Sequence, residues 1–134
     1  MDTSEKYIEM CEKADEIQDW KPYRPESLYC VNQDTRETIY GRFLSSVQDK
    51  HIVWLPQQDD LQKIAWDYYD EVEGDLYTLY TFFRGFMEHY YWHNTYPCEI
   101  FDSFEQLWLA FVMKDCYNKK WNGEQWEEGW IPAK

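Results

Sequence analysis

Basic side chains are the first shortage in this chain: 13 Lys and Arg stand against 26 Asp and Glu, for a net charge of −13. Affinity for a phosphate backbone is built on Lys and Arg neutralising phosphates. Direct binding of nucleic acid is therefore excluded as a main activity, and any partner should be neutral or basic. Long apolar runs are also missing. The longest, Leu107 to Met113, has seven residues, far below the roughly 20 needed to cross a bilayer, so no membrane association is expected. The four cysteines, Cys11, Cys30, Cys98 and Cys116, form no C-x-x-C pair, and the opening residues are acidic and polar without the apolar core of a signal peptide. Reduced thiols in a cytoplasm are the expectation. Catalytic signatures are absent as well: there is no G-x-G-x-x-G, no P-loop and no G-x-S-x-G. With no cofactor motif and no nucleophile setting, the reading is a non-enzyme without cofactors.

What the chain does have is aromatic residues, 8 Trp, 12 Tyr and 7 Phe in 134 residues. Each brings a large area to bury, and Trp and Tyr must also find partners for their N–H and O–H groups. A chain of this length, with no linker or internal repeat, fits one globular domain over 1–134. Its organising stretch is Leu107 to Met113. Successive helical positions turn by about 100°, so seven apolar residues in a row leave a helix with no solvent face. The fold class expected is α+β, mainly α: about four helices packed around a buried C-terminal helix (about 103–118), with a small antiparallel sheet from about 28–54.

The other elements follow from periodicity. Tyr7, Ile8, Cys11, Ala14 and Ile17 recur at helical spacing behind the N-cap candidates Asp2, Thr3 and Ser4, predicting one amphipathic helix of about four turns that ends near Trp20, ahead of Pro22 and Pro25. Short β-branched and aromatic runs at 28–31, 38–40 and 51–54 predict strands. After Pro56, the residues Leu61, Ile64, Ala65 and Tyr68 make the inward face of a further helix, and Trp66 is expected to project roughly opposite, between Asp59 and Asp70. Gly74 closes that helix and Asp75 caps the next, which carries Leu76, Leu79, Tyr80, Phe83, Met87 and Tyr90. At the start of the central helix, Asp102–Ser103–Phe104–Glu105–Gln106 offers either an Asp-x-x-Glu or a Ser-x-x-Gln capping arrangement. Lys114, Lys119 and Lys120 are placed near its negative end, and Asn122–Gly123 predicts a tight turn that folds Trp121 against Trp126.

Two metal sites can be drawn and neither is expected. His89 and His93 are spaced i, i+4 with Cys98 beyond them, but the spacing alone is weak and no H-E-x-x-H is present. The acids from Asp67 to Asp75 do not alternate as an EF-hand loop requires. The informative feature is where charge collects. Between residues 59 and 75, seven acids (Asp59, Asp60, Asp67, Asp70, Glu71, Glu73 and Asp75) face Lys63 alone, a charge of −6 in that stretch. With Trp66 among them, these eight residues are the candidate partner-binding site, an aromatic anchor ringed by carboxylates and suited to an Arg- or Lys-rich protein surface. The bland alternative is a solvated acidic face that keeps an aromatic-rich chain in solution.

Three stretches, Glu9 to Trp20, Val53 to Gln62, and Glu105 to Lys114 continuing into Asn118 to Trp126, resemble a family of small uncharacterised proteins encoded by phages and prophages of Gram-positive bacteria. The resemblance implies a phage accessory protein in the cytoplasm of a bacterial host cell, and it carries no catalytic or binding residues with it. Together with the charge, it leads to the expectation of an acidic anti-defence inhibitor, an anti-CRISPR or DNA mimic, that binds a basic or nucleic-acid-binding surface of a host protein. The alternative is a small-molecule or signal-nucleotide sponge with an aromatic pocket near Tyr91, Trp92 and the C-terminal tryptophans, where Arg84, Lys119 and Lys120 are the cations available. A structural or housekeeping phage component is a third possibility.

Overall fold

A computed structural model describes residues 2–20, 29–40, 52–71, 76–88 and 101–128, with only the backbone described at 39, 40, 69–71, 76 and 77. Among the described residues, helices and strands run in the order α1 (Glu5–Glu12), α2 (Asp15–Gln18), β1 (Tyr29–Asn32), β2 (Thr38–Tyr40), β3 (Ile52–Trp54), α3 (Gln58–Glu71), α4 (Leu76–Phe86), α5 (Phe104–Tyr117), β4 (Lys119–Trp121) and β5 (Trp126–Glu128). This is the mainly helical α+β class read from the sequence. The sheet expected at 28–54 is three-stranded and antiparallel, in the order β2-β1-β3, and β4 and β5 form a separate hairpin. Among the described residues no helix is long and apolar enough to cross a membrane.

The central post is α5. Every residue from Gln106 to Met113 is buried, as a run with no polar face requires. Its start settles the choice of cap in favour of Ser-x-x-Gln. Ser103 is the N-cap and its hydroxyl accepts from Gln106 N at 3.2 Å, while Gln106 Oε1 reaches back to accept from Asp102 N at 2.9 Å. The end is set by Asn118, in the left-handed region at φ 55°, whose N–H closes onto the Lys114 carbonyl. Here the helix stops. Lys119 and Lys120 therefore lie on β4, not in the last helical turn, and Lys119 Nζ is bound to the Glu16 carboxylate.

A second departure concerns the first helix. The stretch predicted as one four-turn helix is broken at Lys13–Ala14 into α1 and α2. No glycine or proline marks the break, which is held by a tertiary partner. Gln18 Nε2 donates to the Cys11 carbonyl at 3.1 Å and to the Trp54 carbonyl at 2.9 Å, and Gln18 Oε1 accepts from Trp54 N at 2.8 Å. The side-chain amide thus pairs with the edge strand β3 much as a neighbouring strand would, closing an edge that otherwise presents open backbone groups. It also gives the Cys11 carbonyl, which accepts from Ala14 N at 3.1 Å, a second donor at the break.

Further hydrogen bonds tie α1 to segments distant in the chain. Buried Tyr7 donates its hydroxyl to the Pro56 carbonyl at 2.5 Å, and Trp126 Nε1 donates to the Met10 carbonyl at 3.0 Å. The turn after β4 is as read: Asn122 Oδ1 accepts from Glu124 N and Gln125 N, both at 2.8 Å, Gly123 takes φ +103°, and the Trp121 and Trp126 rings lie 5.2 Å apart. At the other end, the Asp2 carboxylate accepts from Ser4 N at 2.9 Å, Ser103 Oγ at 2.5 Å and Gln106 Nε2 at 2.8 Å, tying the N-terminal residues to the start of α5.

That carboxylate makes a pH-dependent clamp. Burial pushes its pKa up, but the hydrogen bonds from Ser103, Ser4 and Gln106 together outweigh burial and hold it below the ordinary value. A carboxyl lowered in the folded state contributes stability that is present above its unfolded value, about 3.9, and is lost as pH falls through the folded value. Urea midpoints measured from pH 7 downward should show Asp2→Asn less stable than the parent at neutral pH, with the two converging below about pH 4. A constant difference across that range would remove the clamp.

Candidate functional site

Of the eight residues selected from the sequence, the structure places four side chains. Asp59 is exposed in the first turn of α3. Asp60 turns back on its own helix, Oδ2 accepting from Gln57 N at 2.8 Å, so it serves as a cap. Burial is the main cause that pushes its carboxyl above the ordinary value; the Gln57 N–H opposes this and Asp59 adds to it. Asp67 is half-buried and lies 3.5 Å from Lys63 Nζ in an i, i+4 pair. Such pairs at the surface are weak. The side chains of Asp70 and Glu71, and Glu73 and Asp75 altogether, lie outside the described residues.

Trp66 is the correction. It does not stand away from the protein among carboxylates; it is half-buried and packs against the hydrophobic core. The inward face of α3 was read as one stripe, Leu61, Ile64, Ala65 and Tyr68, and these four do pack inward. But α3 packs against both α5 and α4, so its apolar arc is wider than a single stripe. Trp66, about 100° round the helix from Ala65, falls on the side facing α4.

There it lines a groove of about 740 Å³ with Gln62 and Lys63 of α3, Leu79, Tyr80 and Phe83 of α4, and Trp108 of α5. Phe83 and Trp108 are stacked, with ring centroids 3.9 Å apart and planes 6° from parallel, and Phe111 meets both rings edge-on from beneath. Tyr80 stands 58% exposed and the Lys63 side chain 76% exposed, so the groove opens to solvent. Sequence reasoning missed Tyr80, Phe83, Leu79 and Trp108 as site residues, because a stripe that packs inward and a stripe that lines a groove have the same period.

The other chemical possibilities read from the sequence fare as follows. His89, His93 and Cys98 lie outside the described residues. Among the described residues there is no cluster of His, Cys, Asp and Glu arranged for a metal. Burial raises the Cys11 thiol far above its ordinary value and pushes Cys116 up to about 12, helped by Asp115. Both are thiols at neutral pH, unsuited to nucleophilic attack. Two of the three cations proposed for an anionic ligand pair with acids: Arg84 Nε lies 3.0 Å from Glu88 and Lys119 is bound to Glu16. Of the C-terminal tryptophans, Trp121 is buried and Trp126 packs on it. Searches against models of known protein families, against curated proteins and against solved structures find no match.

Proposed function

We propose that this is a non-enzymatic binding protein, made by a phage or prophage in the cytoplasm of its bacterial host, that attaches to a basic surface of a host protein and inhibits a defence function. The observation that carries the reading is the open aromatic groove beside the most acidic stretch of the chain. Trp66 and Tyr80 supply apolar contact area at its walls, and Asp59 and Asp67 lie on the same helix as Trp66. Interfaces are anchored by a few aromatic residues, while charges around them steer the encounter and select the partner. The net charge of −13 favours basic partners throughout, including the nucleic-acid groove of a defence nuclease. The phage setting rests on the resemblance of the three stretches described above.

The test is affinity capture from host lysate at low and high salt. A protein with a nucleic-acid-binding surface should be retained at low salt and released as salt rises, since exposed charges are screened within about 10 Å at 0.1 M. Asp59→Lys combined with Asp67→Lys should weaken retention about tenfold. Retention of nothing basic, or equal retention by the double variant, would overturn the proposal.

A second reading draws on the groove's volume, which lies within the roughly 300–1,000 Å³ of small-molecule clefts. Its lining is mostly apolar, with Gln62, Lys63 and the Tyr80 hydroxyl as polar groups, which suits an apolar ligand better than a signal nucleotide. Mass spectrometry of the protein purified from infected cells and then denatured would reveal a released ligand.

A further inference from the structure

Resting on the binding role just proposed, we infer that the groove between α3 and α4 receives a basic amphipathic helix of the partner, its apolar face on Trp108 and Phe83 and its Lys or Arg residues over the acidic flank of α3. The dimensions fit. The lining positions run over one turn of each helix, Gln62 to Trp66 and Leu79 to Phe83, a rise of about 6 Å. A helix laid along them presents apolar side chains at i and i+4 over the same distance.

The groove's chemistry narrows the occupant. Its floor is two stacked rings, so contact there is by apolar surface, and the polar groups on the lining are Gln62 and Lys63 on the α3 side and the Tyr80 hydroxyl on the α4 side. A small ligand needs a few convergent polar groups to fix its orientation, and an open groove with a 58% exposed tyrosine as its wall encloses little. A second copy of this chain would bring one net charge of −13 against another, and like charges brought face to face cost binding energy. A cationic partner gains from the same field. Lys63, exposed at the rim, is the one base between residues 59 and 75, and it opposes such a partner.

That opposition gives the test its sign. Fluorescence polarisation would follow a labelled model helix of leucine and lysine titrated with the full chain, alongside a leucine and glutamate helix of the same pattern. The lysine helix should bind saturably, several-fold tighter to Lys63→Glu and about tenfold weaker to Tyr80→Ala. Phe104→Ala, which removes an exposed aromatic outside the groove lining, should leave binding unchanged. Loss of folding does not tighten a complex, so the gain in Lys63→Glu separates docking from damage. The inference is overturned if the glutamate helix binds equally, or if Tyr80→Ala and Phe104→Ala behave alike. It is also overturned if the protein sediments as a dimer through this face, or if no helix binds and Tyr80→Ala instead lowers the Tm, as a groove filled by the chain's own residues would require. Failure here with basic host protein still captured from lysate would discard the helix and keep the binding role; failure of both would discard the role.

Discussion

Replacing Trp108 by alanine should lower stability by about 3–5 kcal/mol. Trp108 is 7% exposed, stacks on Phe83 at 3.9 Å and meets Phe111 edge-on at 5.5 Å. The substitution removes the largest side chain of α5 and leaves a void that the rigid neighbours fill only in part. It also forfeits two aromatic pair interactions, each worth about 0.5–1.5 kcal/mol beyond burial. For a domain of this size the Tm should fall by roughly 10–20 °C. Trp108→Phe keeps a ring over Phe83 and should lose less than half as much. A thermal melt unchanged by Trp108→Ala would remove α5 as the organising element, and with it the floor of the groove.

Gln106→Glu should be the second most damaging change, and its cost should depend on pH. Gln106 is 0% exposed and uses both ends of its amide, Oε1 accepting from Asp102 N and Nε2 donating to Asp2 Oδ2 at 2.8 Å. The substitution keeps the acceptor for Asp102 but sets a second carboxylate against that of Asp2, inside a buried site. A loss of about 2–4 kcal/mol is expected at pH 7. The introduced carboxyl has its folded pKa raised by burial and by Asp2, so the deficit is smallest below its unfolded value, about 4.3, and grows as pH rises through the folded value. Gln106→Leu removes both hydrogen bonds without adding charge, and should cost about 1–3 kcal/mol with little growth in its deficit between pH 5 and pH 7. Urea midpoints at the two pH values separate the variants; equal pH dependence would show that Asp2 and Gln106 do not interact.

Both predictions concern α5, and its start shows how local chemistry is read directly. Ser103 and Gln106 stand at capping-box spacing before an apolar run, and the cap forms where that spacing places it. What the spacing does not reveal is the third member. Asp2, about a hundred positions away in the chain, completes the site, and no local pattern connects the two ends. The break at Lys13–Ala14 has the same character. Ala14 favours helix and Gln18 tolerates it, so periodicity runs straight through; the helix yields because Gln18 can satisfy both backbone groups of Trp54 at the edge of β3.

Trp66 shows the limit most plainly. A helical wheel turns it away from the stripe of Leu61, Ile64, Ala65 and Tyr68, but such a wheel gives angles relative to one neighbour, and α3 packs against both α5 and α4. The acidic content of α3 was legible in full. Which of them are engaged within the chain was not: Asp60 is committed to Gln57 N and Asp67 lies beside Lys63, and only the folded chain assigns them.

The sequence by itself determined the class of fold, the buried central helix, the cap at Ser103, the turn at Asn122–Gly123 and the net charge. Each depends on the identity and spacing of residues within a few turns, or on a sum over the chain. The tertiary structure alone decided that Trp66, Leu79, Tyr80, Phe83 and Trp108 share one groove. Those residues come from three helices, and whether apolar faces close on one another or leave a gap depends on how the helices are set against each other, which no single stretch encodes.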